Sequence, residues 1–146
     1  MTVDRDALER AAEACRRGLL SLAVNEGSMF YGFPRGACGP ASEIFGRLLQ
    51  EEVGYQGIYV CGHSHPQLGE EQTHAWFVVG DYLVDVTHDQ FNGTGLEGWV
   101  FELGKGWHAL FGEQEMRPGA CMPDRWHCYP HDGYDAALSE LIKGSE

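Results

Sequence analysis

A chain of 146 residues, 43% of them hydrophobic, is sized for one domain with its own core and needs neither disulfide staples nor a structural metal. Twenty-two acidic side chains against ten basic ones give a net charge of −12, which argues against nucleic acid and anionic membrane as partners, because binding a phosphate surface needs clustered Lys and Arg. Nowhere is there a run of about 18 apolar residues, and the first 17 residues carry mixed charge without a signal-like stretch. A cytoplasmic protein is expected, with secretion as an effector left open.

From Asp4 to Leu22 the residues Ala7, Leu8, Ala11, Ala12, Cys15, Leu19 and Leu22 recur at spacings of three and four, the stripe of an amphipathic helix. The stretch from Asn25 to Pro40 is broken by Gly27, Gly32, Pro34, Gly36 and Gly39 and reads as a loop. Ile44, Phe45, Leu48 and Leu49 then predict a second helix over 41–52, with Pro40 suited to its first turn, so that it starts immediately after Cys38. Gly54 closes it. Residues 57–61, 73–79 and 82–87, rich in Val, Ile and aromatic side chains, read as strands, the last two forming a hairpin around Gly80-Asp81. A further strand is expected over 99–103, irregular structure over 109–128 and a short closing helix over 134–142. The order predicts an α+β fold spanning residues 1–146, with the helix that begins at the cysteine packed on a small antiparallel sheet.

Five cysteines, an odd count without a secretory signal, are expected to be reduced and to have separate roles. Cys15 lies on the apolar stripe and reads as core. Cys38 is different. A thiol attacks well only as a thiolate, and both a helix N-terminus and a neighbouring imidazolium favour that form. Cys38 has the first by position, and the free N–H groups of the helix start would serve a substrate oxyanion. Counting outward from the Gly80-Asp81 turn brings His74 and Asp85 almost opposite each other, so that a carboxylate would fix one imidazole tautomer. Cys38 as nucleophile, His74 as base and Asp85 as orienting acid form the candidate catalytic set. Tyr31, Phe33, Arg35, Gly36 and Trp76 are the candidate substrate-binding residues, with Phe30, Tyr31 and Phe33 as possible walls of a groove. Arg35 would meet a substrate carboxylate or pair with a local acid. Trp107-His108 reads first as structural, with a reach into the site as an extra polar group as the alternative.

These motifs resemble the transglutaminase-like branch of the papain-like superfamily. Its pattern of a cysteine opening a helix, a His-Ala-Trp-like strand and an Asp-Pro-Thr-like strand falls on Cys38, on His74-Ala75-Trp76 and on Asp85-Val86-Thr87. The segments Phe33–Gly39 and Asp85–Phe91 also resemble a group of small uncharacterised bacterial proteins. The likeness covers about residues 33–91. Val86 stands where the pattern has proline, which keeps Asp89 as a second candidate acid. The resemblance implies cofactor-free acyl transfer on an amide of a protein or peptide substrate through a thioester: peptide hydrolysis, glutamine deamidation or transamidation. The alternative is a zinc-binding or catalytically inactive interaction domain, with ligands drawn from Cys61, His63 and His65 and from Cys121, His127, Cys128 and His131, although neither group has a clean metal-ligand spacing.

Overall fold

In the computed structural model, which describes residues 2–145, the Asp4 carboxylate caps the first helix by accepting the Asp6 backbone N–H at 3.0 Å. That helix, α1 (Arg5–Ser21), buries Leu8, Ala11, Ala12, Ala14, Cys15, Gly18 and Leu19, the stripe read from the sequence. After a run of turns, α2 (Cys38–Leu48) opens at the cysteine itself and continues as a wider turn over Leu49–Val53. Gly54 ends it in the left-handed conformation at φ 89°, which glycine adopts without steric cost.

Five strands follow: β1 (Ile58–His63), β2 (His74–Val79), β3 (Tyr82–Val84), β4 (Val100–Glu102) and β5 (Glu113–Pro118). They form one sheet in the order β4-β3-β2-β1-β5, every neighbouring pair antiparallel. A last helix, α3 (His131–Gly144), packs against α1. The fold is therefore α+β.

Strand alternation sorts the sheet into two faces. Phe77, Val79, Val84 and Val100 join the helices in the larger core. Val60, Trp76 and Leu83 point the other way and are covered by Trp107 and Phe111 from the chain after β4. The helix layer is tight: a Cβ on Gly18 would lie 2.6 Å from the backbone of Ala136 and Ala137. No helix among the described residues is long and apolar enough to cross a membrane.

Two expectations need correction. The segment 109–128 is not irregular throughout, because β5 pairs with β1 from Tyr59↔Arg117 to His63↔Glu113. All six of its residues are exposed, so an edge strand held by backbone bonds left no hydrophobic alternation to read. β3 stops at Val84 rather than Thr87: the Asp85 N–H still reaches its in-register partner, the Trp99 carbonyl, at 2.9 Å, but the Thr87 N–H turns back to the Asp85 carboxylate at 3.0 Å.

Candidate active site

The N-terminus of α2 carries no side-chain cap; its N-cap position is held by Ala37. The N–H groups of Cys38 and Gly39 have no hydrogen-bond partner among the described residues, so two oriented donors flank the thiol. Cys38 is half-buried. The helix points it at the start of β2, where the Ala75 backbone N–H and the His74 ring lie close enough to act on the sulfur.

His74 is fully buried. Its Nε2–H donates to Asp85 Oδ2 at 2.6 Å, and Nδ1, the nitrogen left over, has no hydrogen-bond partner among the described residues. The thiol and ring thus couple electrically across a long contact, which is common before a substrate closes a site. The pairing differs in detail from the count along the hairpin. β2 and β3 pair as Phe77↔Val84 and Val79↔Tyr82, so continuing the register sets Asp85 opposite Trp76 and Thr87 opposite His74. His74 and Asp85 therefore share one sheet face as diagonal neighbours, within reach of long side chains.

Asp85 is also buried, and both of its oxygens are occupied. Oδ1 accepts the Thr87 backbone N–H at 3.0 Å and, more weakly, the Thr87 hydroxyl at 3.4 Å. Oδ2 accepts a second imidazole besides His74: His108 Nε2 at 2.7 Å. His108 sits on a 3₁₀ turn over Trp107–Leu110, 23 residues beyond Asp85. Its side chain is packed against Trp76, Trp107 and Phe101, with ring centroids 4.9, 5.1 and 5.8 Å away. No spacing in the sequence links His108 to the hairpin; the one clue was a histidine beside a tryptophan.

Electrostatics follow from these contacts. Burial pushes the Cys38 thiol up, but the His74 imidazole and the Ala75 N–H outweigh burial and leave it below its ordinary value of 9.0. Burial pushes His74 down, whereas the Asp85 charge and hydrogen bond, with help from Cys38, raise it to about 9. Asp85 is held far below the usual carboxylate range: burial opposes ionisation, and the two histidines overcome it. His108 is lowered, first by burial and then by the charge of His74, so it donates to Asp85 as a neutral ring. Together these shifts favour thiolate on Cys38 and imidazolium on His74.

Asp89, the rival acid, does not reach His74. It lies on the turn after Thr87 and forms a two-pronged ion pair with Arg16, at 2.8 and 2.7 Å. Neighbouring Gln90 ties this turn to the loop before α2, accepting the Gly36 N–H at 3.4 Å.

The candidate substrate residues separate into two groups. Tyr31 is 52% exposed, and Arg35 and Gly36 are exposed just before Cys38. Arg35 has no ion-pair partner among the described residues, which removes the local-acid reading. Phe33 and Trp76, in contrast, are buried and cannot wall a groove. Phe33 packs on Phe30 under the Arg16 guanidinium, and Trp76 backs the site between His108 and Phe111. Phe30 is buried too. A cavity of about 230 Å³ on the helix side of the sheet is lined by Tyr59, Cys61, Glu115, Met116 and Arg117. Tyr59 brings it next to the thiol, since its hydroxyl lies 3.4 Å from where a Gly39 Cβ would stand. β5, which the sequence did not reveal, supplies three of those five residues.

The two groups of metal-capable side chains do not meet. His65 donates to the Trp107 carbonyl at 2.9 Å and stacks on that ring, His63 faces Glu115 at 3.2 Å, and Cys128 is exposed. Among the described residues the one cluster with ligand chemistry is His74, Asp85 and His108. Two ligands about 2.0–2.1 Å from a tetrahedral zinc stand about 3.3 Å apart. The observed 2.6 and 2.7 Å are hydrogen-bond lengths that leave an ion no room.

No family model, curated protein or solved structure matches the chain.

Proposed function

We propose that this protein is a cysteine-dependent hydrolase or acyltransferase acting on an amide, with the architecture of the transglutaminase-like branch of the papain-like superfamily. One observation carries the reading: a single buried imidazole is bonded to a carboxylate locked in place and lies near enough to a half-buried thiol at an uncapped helix start to lower its pKa. A structural cysteine needs none of these three.

In this reading the Cys38 thiolate attacks the amide carbonyl carbon and the C=O pair moves onto oxygen. The free N–H groups of Cys38 and Gly39 hold the resulting oxyanion. His74 gives its Nδ1 proton to the amide nitrogen as the C–N bond breaks, leaving a thioester on Cys38 and a free amine. Water, or a second amine, then attacks the thioester and surrenders its proton to His74, and the C–S bond breaks to release the Cys38 thiolate and restore the ion pair. Asp85 keeps its charge throughout, holding the Nε2–H tautomer and stabilising the imidazolium. The acyl portion of a protein or peptide substrate would lie along Tyr59, Cys61 and Arg117, with Tyr31 and Arg35 on the opposite rim.

Iodoacetamide alkylation of each cysteine against pH, followed by mass spectrometry, tests the proposal. Exposed Cys128 is an internal standard. Below pH 7, Cys38 is expected to react at least about tenfold faster than Cys128, and His74→Ala is expected to abolish that lead. Equal rates for the two thiols in the wild type would sink the enzyme reading.

A further inference from the structure

A thiol–imidazole–carboxylate set requires one imidazole, yet Asp85 Oδ2 accepts two, at 2.6 and 2.7 Å. The second is no surface accident. His108 is 2% exposed and wedged among Trp76, Phe101 and Trp107, so its ring cannot swing to another acceptor without opening the smaller core. Asp85 itself lies just past the end of β3, where its backbone N–H bonds the Trp99 carbonyl but no ladder bond fixes its side chain. Thr87 fixes Oδ1, but a carboxylate held at one oxygen still pivots, and the Oδ2 contact to His74 is the one that aims the base.

We propose that His108 is a positioning residue: its Nε2–H pins Asp85 Oδ2 at the point from which that oxygen holds the His74 ring toward Cys38. The proposal rests on the thiol-enzyme reading and adds a fourth member acting through the acid. A neutral donor suits the task, because a charged second imidazolium would repel the His74 cation that the site must stabilise. Burial and the His74 charge keep the ring neutral, and with its proton on Nε2 the tautomer is settled by the Asp85 bond. The ionisable groups around His108 are Asp85 and His74 in the site and His88 on the turn after β3. Arg5, Glu97, Glu102 and Lys105 share a surface cavity with it on the other side. None of those four bonds the ring, so the pH response belongs to the buried set.

The test compares Cys38 alkylation against pH in wild type, His108→Phe and His108→Gln, with melting curves to report folding. Gln places an N–H near the position of Nε2; Phe fills the space without one. Expected for His108→Phe is a rise of about one unit in the pH midpoint of Cys38 reactivity, with about tenfold slower alkylation at pH 6, while His108→Gln stays close to wild type. A folded His108→Phe protein with an unchanged midpoint would overturn the inference while leaving Cys38 and His74 intact. An unreactive Cys38 in the wild type would overturn the thiol reading and this inference with it. Should His108→Phe not fold, ¹⁵N NMR of wild-type histidine side chains decides. A neutral His108 protonated at Nε2 through pH 6–8 supports the role, and a charged ring or a proton on Nδ1 overturns it.

Discussion

Asp85 is the residue on which the site turns, because its carboxylate accepts four hydrogen-bond contacts and is the group that raises His74. Asp85→Asn keeps the shape and removes the charge. Without that charge, burial dominates His74 and drives it toward the neutral form, so the Cys38 thiolate loses its counter-ion. We expect about ten- to a hundredfold slower alkylation of Cys38 at pH 6 in this variant, with a much smaller change at pH 10, where an ordinary thiol is already ionised. The wild-type profile follows from the same two shifts. Reactivity rises with pH through the lowered thiol, on the acid side of 9.0, and the imidazolium needed to protonate a leaving amine is lost as pH climbs through about 9. Alkylation, which has no leaving amine to protonate, should therefore plateau on the basic side, whereas amide turnover should fall. A turnover profile still rising at pH 10 would deny His74 the acid role.

At the scale of elements, the helix layer depends on α1 and α3 approaching at Gly18. An added methyl there would meet the Ala136 and Ala137 backbone at 2.6 Å, and backbone cannot rotate away as a side chain does. Gly18→Ala is expected to cost about 1–3 kcal/mol, seen as a lower urea midpoint, despite the better helix propensity of alanine. A stabilised variant would mean that the two helices part easily. Much of the element order was legible beforehand, for identifiable reasons. α1 has an apolar stripe, α2 follows a loop rich in glycine and carries apolar residues at helical spacing, and β2 and β3 flank a turn dipeptide. What escaped was set by partners rather than by local pattern. β5 has six exposed residues and is a strand because β1 offers it a backbone edge. The burial of Trp76 and Phe33 depends on what covers each sheet face, which no short window of residues contains. Of the site, Cys38, His74 and Asp85 could be named because each sits at the end of a readable element. His108 could be offered only as a less favoured extra polar group, since a lone 3₁₀ turn carries it across to Asp85 from a distant stretch of chain.

The molecule as a whole carries a charge of −12, and that field acts on anything approaching Cys38. Two opposing terms meet there: the diffuse negative surface, and the local positive groups His74 and unpaired Arg35. They differ in range, which is what separates them. At about 0.01 M salt the screening length is about 30 Å and the whole surface is felt; at about 1 M it is about 3 Å and only contacts remain. The buried imidazole and carboxylate are shielded from bulk ions, and their pairing should change little between those limits. Iodoacetamide is neutral and iodoacetate is its anionic counterpart, so the ratio of their rates at Cys38 isolates the field from the chemistry. With the global charge dominant, the anion should be disfavoured at low salt and the ratio of iodoacetate to iodoacetamide should climb several-fold as salt is added. The same field would favour amide substrates carried on basic or neutral segments over acidic ones. A ratio that instead falls with salt would show that Arg35 and the imidazolium govern the approach, and would point to a substrate bearing a carboxylate close to the scissile amide.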